Sequence, residues 1–166
     1  MSKKNNSTGY IVGTVFVIGL VALLVWLGIG GNSMTYSASA LTVTEKSFDF
    51  DTISMEEGKV YHKFELKNEG IESVSIIKAY TSCMCTEVLI TNEAGDERGP
   101  FGMQGHGIAS TNLEVGVGES VTVEAIFDPA AHGPSGVGFA ERSIYLETNS
   151  SVEPKVELTF QAMVTQ

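Results

Sequence analysis

Two rhythms divide the chain. From Tyr10 to Gly30 the sequence YIVGTVFVIGLVALLVWLGIG is an apolar run without a charge. About 20 such residues span a bilayer as a helix. After residue 40 the apolar residues recur at every second position instead, the period of a half-buried strand. KVYHKFELKN sets Val60, His62, Phe64 and Leu66 against Tyr61, Lys63, Glu65 and Lys67. KSFDFDTI alternates Phe48, Phe50 and a later Ile53 with polar residues. SVSIIKAY, CTEVLI, SVTVEAIF, RSIYLET and KVELTFQAMV bring the total to about seven short strands. Turn chemistry of the Asn-Glu-Gly, Asp-Pro and Asn-Ser-Ser kind separates them, and nothing after residue 40 keeps a helical period. The pattern predicts an all-β, immunoglobulin-like β-sandwich behind one N-terminal transmembrane helix.

The boundaries follow from the same pattern. Residues 1–9 form a cytoplasmic N-terminus and 10–30 the membrane helix. Residues 31–44 are a linker, flexible where GNSMTYSASA is small and polar, and 45–166 are the sandwich. Lys3 and Lys4 precede the apolar run and no basic residue follows until Lys46. That asymmetry keeps the N-terminus inside and places the C-terminal domain outside the cytoplasmic membrane, as a single-pass protein. Ala38-Ser39-Ala40 offers the rival reading of a cleaved signal peptide. It lies well past the apolar run, and that run exceeds the about 7–15 residues of a signal core, so an uncleaved anchor is expected.

Between CTEVLI and SVTVEAIF lies TNEAGDERGPFGMQGHGIASTNLEVGVGE, which is so rich in glycine that most of it is expected to be loop. A second glycine-rich stretch, DPAAHGPSGVGFAER, precedes the next strand.

Charge narrows the partners. The 166 residues carry 10 basic and 20 acidic side chains, a net charge of -10. Removing Lys3 and Lys4 with the anchor leaves the exported part more acidic still. Phosphate backbones need clustered Lys and Arg, so nucleic acid is excluded as a partner. The expected partners are the membrane, through residues 10–30, and a protein or cell-envelope polymer. No G-x-S-x-G, H-E-x-x-H or P-loop motif occurs, so no catalytic residue is assigned and the chain is read as a non-enzyme.

The candidate chemistry is thiol chemistry. Cys83 and Cys85 are the two cysteines of the chain, one methionine apart. Residues i and i+2 of a strand face one side, so both thiols could meet one ligand if the strand bends or ends there. A direct disulfide at that spacing is a tight, strained ring. The spacing is not Cys-x-x-Cys, so a thioredoxin-type motif is unsupported. Thiolate pairs favour Cu(I) and, less so, Zn(II). Met103 and His106 in GPFGMQGHG, and His132 in AAHGPSG, extend the soft-ligand set. Each has a plain alternative: Met103 as a hydrophobic plug, the histidines as polar loop residues, the cysteines as half-buried packing. His62 reads as packing within its strand, and Met84 should face away from both cysteines.

Several of these residues stand in a recognisable frame. Phe48-x-Phe50-x-x-Ile53, Gly58, HKFELKNEG with Asn68 and Gly70, SCMCT, Gly118-Glu119 before VTVEAIF, and ETN at Glu147 to Asn149 resemble the bacterial family DUF1573 over about residues 45–164. The resemblance implies an immunoglobulin-type sandwich related to ASH and major-sperm-protein-like domains, exported, with a Cys-x-Cys-Thr hallmark at Cys83, Cys85 and Thr86. Asp51 stands where that family usually has Gly, Val117 where it has Pro, and the glycine-rich insert is longer. The expected function is an anchored extracytoplasmic binding or scaffold module. Its alternatives are a Cu(I) site formed by Cys83, Cys85, Met103, His106 and His132, or a thiol–disulfide protein.

Overall fold

The computed structural model describes residues 15–20, 23, 35–107 and 109–166. Residues 15–20 and 23 are helical. The rest of the expected span 10–30 lies outside the described residues, and among those described no helix is long and apolar enough to cross a membrane. Residues 35–166 form a separate compact unit.

That unit is an immunoglobulin-like β-sandwich of ten strands. In chain order they are β1 (Leu41–Val43), β2 (Ser47–Ser54), β3 (Val60–Asn68), β4 (Val74–Thr81), β5 (Thr86–Asn92), β6 (Glu97–Phe101), β7 (Ser110–Val115), β8 (Ser120–Phe127), β9 (Gly138–Thr148) and β10 (Lys155–Thr165). One sheet runs β1-β3-β8-β5-β6 and the other β2-β10-β9-β4-β7. All pairings are antiparallel except β2 on β10. The period-two pattern explains the core. Phe64 and Leu66 of β3, Val123 and Phe127 of β8 and Val88 and Ile90 of β5 are buried in one sheet. Ile76, Ile144, Leu146, Leu158 and Phe160 are buried in the other. Each contributes roughly 1.5–3 kcal/mol by leaving water.

Three expectations change. The expected seven strands become ten, and the additions β1, β6 and β7 are all sheet edges. Two of them, β6 and β7, lie inside the stretch expected to be loop. An edge strand tolerates glycine and proline because one side of its ladder needs no partner, so Gly99 and Pro100 fit in β6. Residues 35–44, expected as part of the linker, belong to the compact unit. Ser37 and Ser39 are buried, and Ser37 bridges Ser150. Ser39 Oγ accepts hydrogen bonds from the backbone N–H groups of Ile71 and Glu72.

The uneven spacing of Phe48, Phe50 and Ile53 has a local cause. The pairing of β2 with β10 slips between Asp49↔Gln161 and Thr52↔Met163, and Asp51 within the slip has φ 57°. One extra residue restores Ile53 to the buried face. The left-handed backbone is one that glycine adopts freely and an L residue does not. Asp49 Oδ1 accepts a hydrogen bond from Asp51 N and steadies that turn.

His62 packs as expected. Its ring stacks on Phe48 at 3.6 Å and meets Phe64 edge-on. Its Nε2 lies 3.4 Å from Glu45 Oε2, off hydrogen-bond alignment.

Candidate functional site

Both cysteines lie in a turn, not in a strand. Thr81 ends β4 in one sheet and Thr86 begins β5 in the other, so residues 82–85 are a crossing between the sheets. Five contacts hold that crossing. The buried Thr81 hydroxyl lies within hydrogen-bond distance of the carbonyls of Cys83 and Thr86, at 2.9 and 3.0 Å. Ser82 N donates to Ser143 O, and Ser143 N donates back to Ser82 Oγ, both at 2.9 Å. Asp128 N donates to Cys85 O at 2.9 Å. The turn is thereby fixed against β9 on one side and the end of β8 on the other.

A second crossing approaches from β8 to β9. It starts at Asp128, whose carboxylate accepts from Ala130 N, and turns through Ala131 to His132 before a short 3-10 turn at Gly133–Gly136. Because Asp128 is bonded to Cys85, the cysteine turn and the histidine turn share an anchor. His132 Nε2 comes to 3.2 Å from Cys83 Sγ. The ligand atoms of Cys83, Cys85 and His132 all lie within 4.8 Å of one another. Cys85 is buried, Cys83 half-buried and His132 exposed, so the cluster has a closed floor and an open side. Met84 points away and is 65% exposed.

A residue that no sequence motif marks completes the site. Arg142 of β9 donates from Nε to Cys85 Sγ at 3.1 Å. Its Nη1 donates to Glu141 O, and its guanidinium lies 5.9 Å from the Phe127 ring. A signal for it existed, since RSIYLET places Arg142 in phase with the buried Ile144 and Leu146.

The thiols are electrostatically unequal. Burial pushes Cys83 up. Hydrogen bonds from the Cys85 side chain and N–H, the His132 contact and the Arg142 charge outweigh burial and bring it down from 9.0 to about 7. Burial pushes the Cys85 thiol up, its hydrogen bond to Cys83 adds to that, and Arg142 pulls only partly the other way. The first proton is therefore lost at Cys83. Burial lowers Arg142, but the sulfurs of Cys85 and Cys83 beside it leave it raised, so it stays charged.

Of the candidate ligands, the fold brings Cys83, Cys85 and His132 together. Met103 sits just after β6, half-buried, where its backbone bridges Thr81 and Thr81 N donates to Gly102 O. His106 is exposed in the loop between β6 and β7, where its N–H donates to Met103 O, and it is not part of the cluster. Two sulfurs and an imidazole are a soft donor set. Donors at about 2.0–2.3 Å from one ion stand up to roughly 4 Å apart, close to the spacing found. A thiol beside an imidazole is also the pairing that activates a sulfur nucleophile.

Fold and site together define a β-sandwich domain with a thiol–histidine cluster at one end. The model of the family described as "Protein of unknown function (DUF1573)" matches residues 41–99, which include Asn68, Gly70, Cys83, Cys85 and Thr86. The family resemblance is thus shown over that part of the chain. A protein of unknown function from Porphyromonas gingivalis W83 is similar in fold, with a TM-score of 0.56 and 12% identity over 80% of this chain. This chain spans about half (51%) of that protein's length. The ASH / PapD-like domain 7 of human CEP192 gives a TM-score of 0.46 at 19% identity, covering 81% of this chain and 92% of that one. No curated protein matches the chain in sequence.

Proposed function

We propose that the sandwich is a non-catalytic, extracytoplasmic binding module, tethered to the cytoplasmic membrane through residues 10–30. Its ligand is a soft metal ion, Cu(I) before Zn(II), held by Cys83, Cys85 and His132. The observation that carries this reading is the convergence of those three ligand atoms within 4.8 Å on two crossings that share one anchor. Cys83 needs little help to lose its proton near neutral pH, which suits a thiolate ligand. The apolar run, with Lys3 and Lys4 before it and no basic residue after it until Lys46, supports the tether and its orientation.

The test is Cu(I) competition against a colorimetric chelator, on full-length protein kept reduced. Wild type should take one equivalent, and Cys83→Ser and Cys85→Ser should each abolish the transfer. Unchanged affinity in both variants sinks the reading.

The second reading is thiol–disulfide exchange, favoured by one accessible, acidic thiol beside a buried, less acidic one. A redox titration with alkylation and mass readout decides it. A reversible Cys83–Cys85 couple supports exchange, and its absence removes it.

A further inference from the structure

Arg142 is out of place by the logic of its strand. Ala140, Ile144 and Leu146 share its inward stripe on β9 and are all buried. A charge on such a stripe is expensive unless compensated. Among the described residues no carboxylate lies within ion-pair distance of Arg142. Its partners are the Cys85 sulfur, a backbone carbonyl and an aromatic face. The Ser82–Ser143 pair adjoins it and locks the cysteine turn to the same strand. The guanidinium and the cysteine turn are thus both fixed on β9.

From this arrangement we propose that Arg142 is the specificity-determining residue of the cluster, favouring a monovalent soft cation over a divalent one. The inference rests on the metal reading above. Metal binding draws both thiols into the thiolate form. Two thiolates, a neutral imidazole and one guanidinium carry a single negative charge. A monovalent ion such as Cu(I) brings the cluster to neutrality. A divalent ion such as Zn(II) leaves an uncompensated positive charge beside a buried sulfur, which costs in a low-dielectric setting. Coordination number points the same way. Structural zinc is almost always four-coordinate, whereas among the described residues the His, Cys and carboxylate donors grouped here are three. The Nε–H bond to Cys85 also takes up one sulfur lone pair and fixes the direction in which the others point.

The test compares affinities for Cu(I) and for Zn(II), each by chelator competition, on the same preparations of full-length wild type, Arg142→Lys and Arg142→Gln. A misfolded fraction cancels in the Cu(I)-over-Zn(II) ratio. Arg142→Gln should lower that ratio about tenfold, the scale of changes around a metal's outer sphere. Arg142→Lys keeps the charge and should recover most of the ratio. A ratio unchanged in Arg142→Gln overturns the proposal, whether both affinities fall together or neither moves. So does a lysine variant that behaves like the glutamine one. A wild type that binds neither ion removes the metal reading itself, and the selectivity proposal with it.

Discussion

The two ends of the sandwich carry two of the segments that resemble DUF1573, Asn-Glu-Gly and Cys-x-Cys, and use them differently. At one end, Asn68 closes β3. Its side-chain Nδ2 donates to the carbonyls of Glu72 and Val115, and its Oδ1 accepts from Gly70 N. Its own backbone pairs with Gly118 N and Glu119 O in the turn before β8. Gly70 is required there because a Cβ would stand 2.2 Å from Ser39 Oγ. Every polar atom of the Asn68 side chain is engaged by backbone. At the other end of β8 the polar groups engage one another: Cys83 with His132, Cys85 with Arg142. The ligand atoms of Cys83, Cys85 and His132 lie within 4.8 Å of one another. A motif residue whose bonds all end on backbone builds the fold, and one whose bonds end on other reactive side chains is available for chemistry.

The largest expected effect tests the structural end. Asn68 is fully buried, and Asn68→Ala strands two carbonyls and one N–H. It should cost about 2–4 kcal/mol in urea denaturation, by analogy with other buried groups left unpaired. Affinity for Cu(I), measured on the fraction that remains folded, should not change. A loss of both together would show that the two ends are not separable.

The next effect belongs to the cysteine end and to pH. A thiol lowered from 9.0 to about 7 is half ionised at pH 7, whereas at its ordinary value only about one part in a hundred is. Because the folded value is the lower one, the thiolate is present above about pH 7 and is lost as pH falls through it. Alkylation of native protein by iodoacetamide, mapped by peptide mass, should mark Cys83 with a midpoint near 7. Cys85 should react only at higher pH. In denaturant both cysteines should revert to the ordinary thiol midpoint of about 9. Equal native profiles for the two thiols would contradict the inequality drawn from Arg142, His132 and burial.

Much of this is legible in the chain alone. The central strands β3, β8, β9 and β10 announce themselves because both neighbours demand a strict period of two. The missed strands β1, β6 and β7 are edges, where glycine, proline and polar residues are tolerated and the alternation fades. The cysteine pair was visible as an oddity of spacing, yet its placement in a crossing between sheets depends on which sheet each strand joins, and periodicity does not encode that. Arg142 was hidden for the opposite reason. It keeps the phase of an inward position, but its meaning appears only when the cysteine turn is seen beside it.

The smallest effect tests why one histidine and not the other reaches the thiols. His106 and His132 sit in glycine-rich segments that look alike in sequence. The segment of His132 follows β8, which pairs with β5 at Thr86↔Phe127, so it emerges beside the cysteine turn. The segment of His106 links two sheet edges, and its histidine ends exposed and outside the cluster. With both thiolates retained as the main ligands, His132→Ala should weaken Cu(I) binding about tenfold, the loss of one neutral donor among three. His106→Ala should leave it unchanged. Both variants should stay within about 0.5 kcal/mol of wild-type stability, since neither ring is buried. Equal losses from the two histidines would place His106 at the metal as well, by a movement of its loop. No loss from either would leave a two-sulfur site, with His132 serving only to draw the proton from Cys83.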